Sequence, residues 1–367
     1  MPRFLTIFPY ATNVHLIKDV GMLPFILHKQ FGYDASIASY KNGEYPYLET
    51  EVKGLKQIFI PKISKISTLD VFLFLLLNFR KFDIVQCYHF EKQSLLILSF
   101  FKFLKWITFS PNFTFLKLDA VDRIKEKKPG YLSKFLSVKI NLISVETHKI
   151  FDYLNTTNLL GRKVEYIPNG FYNKEEKKVI DFDLKENIII TVGRIGIFEK
   201  NNEVLLESFR EFALINDEWK LEVIGPIESN FEVYIKKYFD LYPNLINRIV
   251  FTGAISDRAV LQSKYDKAKI FVLTSIEEGF PLVFLEAIRS GCTIISSRLT
   301  SAYDITNNEK YGALFSIGDS KDLTEKFINV INDSNKLRED CLRIQRFAYE
   351  KYSWNNIAVI INNLIEE

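Results

Sequence analysis

A chain of 367 residues that is 47% hydrophobic and 25% charged is not a disordered one, and it is too long for one ordinary core, so two domains are expected. Its three cysteines, Cys87, Cys292 and Cys341, are scattered, which excludes a disulfide framework or a cysteine metal cluster and suits a reducing, cytoplasmic compartment. The net charge of +3 hides an imbalance: residues 1–170 carry 23 Lys and Arg against 14 Asp and Glu, net +9, and the rest carries 25 against 31, net −6.

In chain order, strands are predicted at Phe4–Phe8, Asp34–Ser39, Ile58–Ile60, Ile84–Cys87, Trp106–Ser110 and Leu142–Val145. A second series follows at Ile188–Val192, Lys220–Ile224, Ile249–Thr252, Ile270–Leu273 and Thr293–Ser296. Several of these are apolar on both faces and alternate with helical patterns, as in parallel α/β sheets. FLTIF near the start is too short for a signal-peptide core, and no uncharged apolar run reaches the roughly 18 residues of a spanning helix. Two stretches, LDVFLFLLLNFRKF and LLILSFFKFLKWITF, combine Phe and Leu with basic edges. They read as helices packed on a sheet and, with the basic half-charge, as a contact for an anionic membrane surface. Residues 173–187, NKEEKKVIDFDLKEN, are charged and aperiodic and read as a linker. Asp181 and Asp183 within it have a metal-like spacing without a second ligand cluster, so no metal is expected. Residues 335–367 read as helix with a break near Tyr352-Ser353-Trp354, Ser353 capping the final segment.

The stretch SIEEGFPLVFLEAIRSG, Ser275–Gly291, raises the functional question. It follows the strand Ile270–Leu273 with a loop and then a helix, Pro281 near the helix's first position and Gly291 at its stop. A helix starting at a strand's carboxyl end presents free N–H groups and a positive dipole end, a ready site for phosphate. Glu286 lies about one and a half turns into the helix, within reach of a ribose attached to such a phosphate, and Glu278 lies in the loop before it. Arg194 and Lys200 follow the strand Ile188–Val192 in a loop leading to another helix, where two cations can neutralise a leaving diphosphate.

EEGFPLVFLEA resembles the two-glutamate signature of retaining glycosyltransferases of the GT-B fold, in particular the large bacterial family 4 (glycosyl transferases group 1). VGRIGIFEKNNEVLLESF, VEYIPNGFYN, IVFTGAI and YSWNNIAVIINNL resemble the family's segments in order and spacing. The resemblance is strong from about Val164 onward. It implies α/β architecture with two Rossmann-like domains facing each other across a cleft and a C-terminal helix returning to the first. The expected division is 1–168 for acceptor binding, 169–345 for the nucleotide sugar, and 346–367 for the returning helix.

The implied catalytic set is Glu278 on the donor sugar, Arg194 and Lys200 on the diphosphate, and Asp119. Asp119 stands where many members place a histidine; it reads equally as a sugar contact or as a loop cap. Gly193, Gly225, Gly253, Ala254, Gly279, Phe280, Pro281, Leu282, Val283 and Glu286 are assigned to the donor and its nucleotide. His89 and Lys117 are assigned to the acceptor side, His89 with a structural role as its competitor. The loop FPYATNVHLIKDVG lacks the glycine pair that members often carry there.

The reaction so implied moves a sugar from a UDP- or GDP-linked donor to a hydroxyl acceptor on a glycan, lipid-linked or protein substrate, in bacterial surface polysaccharide or glycoconjugate synthesis. No cofactor, metal or nucleic acid is expected, and the place is the cytoplasm or the inner face of the plasma membrane. The rival readings are a sugar-nucleotide epimerase on the same fold and a catalytically silent GT-B partner protein. The presence of Glu278, Arg194, Lys200 and Glu286 together argues against silence.

Overall fold

The Ile-, Val- and Leu-rich runs form parallel strands buried on both faces. The computed structural model describes residues 1–118, 129–172 and 178–367. The chain divides into two units, Met1–Tyr172 with Tyr352–Glu367, and Asn173–Lys351.

In the first unit the strands are β1 (Arg3–Ile7), β2 (Asp34–Ser39), β3 (Lys56–Phe59), β4 (Ile84–Tyr88), β5 (Phe113–Leu118), β6 (Leu142–Val145) and β7 (Glu165–Tyr166). They make one sheet in the order β3-β2-β1-β4-β5-β6-β7, so the winding reverses between β1 and β4. Successive residues serve opposite faces, as the pleat requires. Leu5 and Ile7 join the core under helices Ser67–Asn78, Lys92–Ile107, Tyr131–Ser137 and His148–Thr157. Phe4 joins the other core, under helices Asp19–Phe31 and Trp354–Glu366.

That last helix belongs to the first unit by its packing. Trp354 is buried against Gly170, where an added Cβ would meet the indole Cδ2 at 2.8 Å. The Trp354 amide donates to the Phe171 carbonyl at 3.0 Å, and the buried Tyr33 hydroxyl donates to Asn362 at 3.0 Å.

In the second unit β8 (Glu186–Val192), β9 (Lys220–Ile224), β10 (Ile249–Gly253), β11 (Ala268–Leu273), β12 (Thr293–Ser297) and β13 (Gly312–Phe315) form a parallel sheet. Its order is β10-β9-β8-β11-β12-β13, with the reversal between β8 and β11.

The structure corrects the sequence reading at two places. Trp106–Ser110 is not a strand: the helix Lys92–Ile107 runs through Trp106, and the strand lies further on at Phe113–Leu118. Leu95, Leu98, Phe101, Leu104 and Lys105 are buried at helical spacing, and that period carries the helix into the segment read as β. The described part of the expected linker, residues 178–187, is packed into the second unit. Ile180 is buried, and Lys185 donates to the carbonyls of Asp266 and Ala268 at 3.0 and 2.7 Å. Asp181 accepts from the Asp183 amide at 2.9 Å, and Asp183 pairs with Arg338. The edge strands β7, too short to show a pattern, and β13 escaped the sequence reading. No helix among the described residues is long and apolar enough to cross a membrane.

Candidate active site

The site is built in the second unit at the carboxyl ends of β8, β9, β10 and β11, beside the reversal of winding where open α/β sheets hold ligands. Its floor is glycine. The Gly193 amide donates to the Ile224 carbonyl and the Gly225 amide to the Gly253 carbonyl, both at 2.9 Å. Gly225 has φ 143°, and a Cβ there would fall 1.7 Å from the Gly193 oxygen. A Cβ on Gly193 would meet Lys200 Cε at 3.3 Å, so the lysine side chain lies across that glycine. Gly253, with φ 71°, has open space around it, and Ala254 beside it is exposed.

Two loops are stitched together over this floor. The Thr274 hydroxyl donates to the Lys200 carbonyl at 2.8 Å, and the Ile276 amide donates to the Glu199 carbonyl at 2.8 Å. The Gly196 amide is held by the Asn202 side chain at 2.8 Å. These bonds bring Lys200 and Glu278 into a salt bridge, with Ser275 donating to the same Glu278 oxygen at 2.9 Å. The side chains of Lys200 and Glu278 are 18% and 21% exposed, so the pair is desolvated enough to be strong and open enough to meet a ligand. Arg194 stands exposed in the same loop.

The helix Leu282–Arg289 begins directly after Gly279-Phe280-Pro281. Pro281 sits at its N-cap, beside the first helical position as expected, and its carbonyl accepts from the Phe284 amide at 3.1 Å. Amides of the first turn, Leu282 and Val283 among them, have no intrahelical acceptor in such a helix. Phe280 is buried and Gly279 exposed, so the apolar side chain anchors the turn and the glycine backbone faces outward. Gly291, with φ 68°, ends the helix in the left-handed conformation.

Glu286 lies four residues into that helix and accepts from the buried Tyr265 hydroxyl at 2.9 Å. Burial raises its pKa above the ordinary 4.5, against the Tyr265 hydrogen bond and the charges of Arg258 and Arg289. Tyr265 was not marked by the sequence reading, since LQSKYDKAK reads as a polar helix, yet it orients the carboxylate. The raised pKa has a consequence for stability. The folded state keeps the Glu286 proton to higher pH than the unfolded chain does, so this group's contribution falls as pH rises upward from 4.5. Glu286→Gln cannot titrate, so it should melt no lower than the native chain at pH 7, with the difference narrowing toward pH 4. Thermal melts across that range measure it; a variant that loses more stability at pH 7 than at pH 4 would count against a buried, costly carboxylate.

The acceptor-side assignments lie in the first unit. Lys117 is fully buried and its ammonium pairs with Glu146, donates to Asn169 at 2.8 Å and reaches Asp19 at 3.2 Å. Burial alone would push that amine down, but Glu146 and Asp19 outweigh it and hold its pKa above the usual lysine value. Its ammonium is therefore occupied inside the unit, and no face of it is open to an acceptor. His89 follows β4 with φ 64°, half-buried, its ring 5.9 Å from that of Phe8. Asp119 lies outside the described residues. Thus Gly193, Lys200, Gly225, Gly253, Glu278 and the helix start are gathered at one sheet edge, whereas Lys117 and His89 belong to a separate sheet. Among the described residues there is no group of three His, Cys, Asp or Glu that could hold a metal ion.

Comparison with known proteins bears on the second unit and on the fold. The family described as Glycosyl transferases group 1 matches residues 173–350, which is the second unit almost end to end. The capsular polysaccharide biosynthesis glycosyltransferase CapM of Staphylococcus aureus is 29% identical over 201 residues, 53% of this chain and 51% of CapM. The chain spans about half the length, or less, of the curated relatives it matches first. Among solved structures, the lipopolysaccharide outer core galactosyltransferase WaaB superimposes with TM-score 0.73 at 19% identity over 99% of each chain. HepE of Anabaena, solved in complex with UDP, superimposes with TM-score 0.71 at 14% identity over 100% of each chain. The matched family covers the unit that carries the glycine floor and both glutamates, and the fold likeness covers both units. Residues 173–350 belong to the glycosyl transferases group 1 family, and the chain has the GT-B fold.

Proposed function

We propose that the chain is a retaining, metal-independent glycosyltransferase of family 4. It moves a sugar from a UDP- or GDP-linked donor to a hydroxyl acceptor in the synthesis of a bacterial surface polysaccharide or glycoconjugate. The observation that carries this reading is the Lys200–Glu278 pair over Gly193, beside the start of helix Leu282–Arg289. A diphosphate arriving there competes with Glu278 for the Lys200 charge. It thereby frees the carboxylate to accept from a hydroxyl of the donor sugar. Arg194, Lys200 and the helix start stabilise the diphosphate as charge grows on it. Glu286, held by Tyr265, takes the ribose. The acceptor hydroxyl attacks the anomeric carbon from the side the diphosphate leaves. The leaving phosphate oxygen takes the acceptor's proton, so no separate base is required. The binding of UDP by HepE and the role of CapM in capsule synthesis support the substrate class.

The test is incubation with UDP- and GDP-hexoses and a polyprenol-linked or glycan acceptor in excess EDTA. Nucleoside diphosphate release is followed, and the new anomeric centre is read by NMR. Release on one of the two nucleotides, retained configuration and insensitivity to EDTA are expected. Loss of transfer on chelation, restored by a divalent ion, would refute metal independence. Conversion of the nucleotide sugar to its epimer without acceptor would restore the epimerase reading.

A further inference from the structure

The first unit carries an apolar and basic face that holds none of the residues assigned to glycosyl transfer. On helix Ser67–Asn78, Leu69, Leu73, Leu76 and Leu77 are exposed at helical spacing, a stripe turned to solvent. The neighbouring helix Lys92–Ile107 packs against it through Phe72 and Phe100, rings 4.7 Å apart. That second helix exposes Phe103, Trp106 and Ile107 at its end, and Phe109 follows, 95% exposed. Phe109 also has φ 48°, a left-handed conformation that a bulky residue rarely adopts. Folding alone gives no reason to hold a phenylalanine there, strained and in water.

Beside these rings a cleft of about 740 Å³ opens between the end of helix Lys92–Ile107 and the segment 136–141. It lies at the amino-terminal ends of β5 and β6, away from the carboxyl edge. Ser99 Oγ and Asn112 Oδ1 line it, both buried with no hydrogen-bond partner. Lys105, 1% exposed, also lines it and reaches Asp83 only at 3.8 Å, because Arg3 already holds that carboxylate at 2.6 and 2.9 Å. Lys102 donates to the Lys139 carbonyl at 2.7 Å and to Asn141 at 3.1 Å, with no carboxylate among these partners. Residues 92–112 and 129–141 hold five lysines and no Asp or Glu. The face is therefore apolar, cationic and underpaired, and a deep cleft beside exposed aromatic rings fits an anionic amphiphile better than a neutral protein surface.

We infer that this face docks on an anionic bilayer: Trp106 and Phe109 enter the interface, and the cleft takes the apolar part of one lipid whose phosphate meets Lys102 and Lys139. The inference does not rest on the glycosyl-transfer reading, because every residue in it lies in the first unit.

The test is flotation of the full chain with phosphatidylglycerol or phosphatidylcholine vesicles at low and high salt, with tryptophan emission read alongside. Of the three tryptophans, Trp219 and Trp354 are buried and Trp106 is exposed, so a blue shift on adding vesicles reports Trp106. Binding to phosphatidylglycerol with a blue shift, weakening as salt rises, is expected. Lys102→Gln/Lys139→Gln should weaken it about twenty-five-fold, at roughly fivefold for each charge removed. Phe109→Asn should weaken it too while melting at or above the native temperature, since asparagine tolerates the left-handed backbone. That variant separates docking from folding. No flotation with phosphatidylglycerol at low salt, equal binding to phosphatidylcholine, or variants binding like the native chain would each overturn the inference. Full displacement from vesicles by millimolar inorganic phosphate at constant ionic strength would assign the lysines to free phosphate and overturn it as well.

Discussion

Glu278→Gln is expected to lower kcat by roughly a hundredfold with little change in donor KM, the loss seen when a preorganised electrostatic group is removed. The carboxylate is fixed by Ser275 and Lys200 before any donor arrives, so it costs no reorganisation during the reaction. It is assigned to the transferred sugar, where charge and geometry change as the bond breaks. Lys200→Ala and Arg194→Ala should fall in the same class, because diphosphate charge grows toward the transition state. Glu286→Gln belongs to the other class. The partner proposed for it, the ribose, does not change during the reaction, and an interaction equal in ground and transition states acts on KM. Steady-state kinetics over a range of donor concentrations separates the two. Abolished turnover at saturating donor in Glu286→Gln, with Glu278→Gln unaffected, would reverse the assignment. The Lys200–Glu278 pair is mostly buried, so breaking it costs stability as well as rate. Melting temperatures therefore keep the kinetic comparison clean.

Gly225→Ala is expected to destabilise the second unit by about 3 kcal/mol or more, among the largest effects a single methyl can have. Two causes add. The backbone at φ 143° lies outside the ordinary range of an L-residue. The new Cβ would also sit 1.7 Å from the Gly193 oxygen, a backbone atom that cannot rotate away. The strands β8 and β9 would have to part where Gly193 bonds to Ile224, and that displacement moves Lys200 off the glycine floor. Chemical denaturation followed by tyrosine and tryptophan emission measures the stability. Gly253→Ala is the control: its φ of 71° strains an alanine, but nothing lies within 4 Å of the new carbon, so its cost should be clearly smaller. Equal losses in the two variants would mean that the close approach of β8 and β9 is not what Gly225 serves.

The second unit was largely legible in sequence because its functional residues lie in the same short segments as its strand ends. A strand, a glycine and a helix cap each leave a local signature, and the two glutamates flank one helix start. What could not be read was the bond between segments. Nothing in EKNN or SIEE shows that Thr274 and Ile276 tie the two loops together and so bring Lys200 to Glu278. Tyr265 was hidden for the same reason: its ring is buried and its hydroxyl is aimed by tertiary packing, while its neighbours in sequence are polar. The first unit misled more. Lys117 was placed past a strand read at Trp106–Ser110, yet it lies within β5 and its ammonium meets Glu146, Asp19 and Asn169. The Trp106 segment failed because aromatic and β-branched residues favour strands locally, while the buried positions from Leu95 onward keep helical time.

The helix Trp354–Glu366 carries a further meaning for the birth of the chain on the ribosome. The core containing Phe4, Phe25 and Ile84 also requires Trp354, Ile357 and Ile361, which are made hundreds of residues later. Residues 178–351 can reach their own sheet without any help from that helix. The second unit is thus free to mature first, while residues 1–172 wait with an uncovered groove for the partner helix. The early half therefore leaves the ribosome with an apolar face that the last helix covers, and that face stays uncovered until the helix is made. Slow codons or a pause placed before residue 354 would lengthen that interval, and the yield of native protein would fall with it.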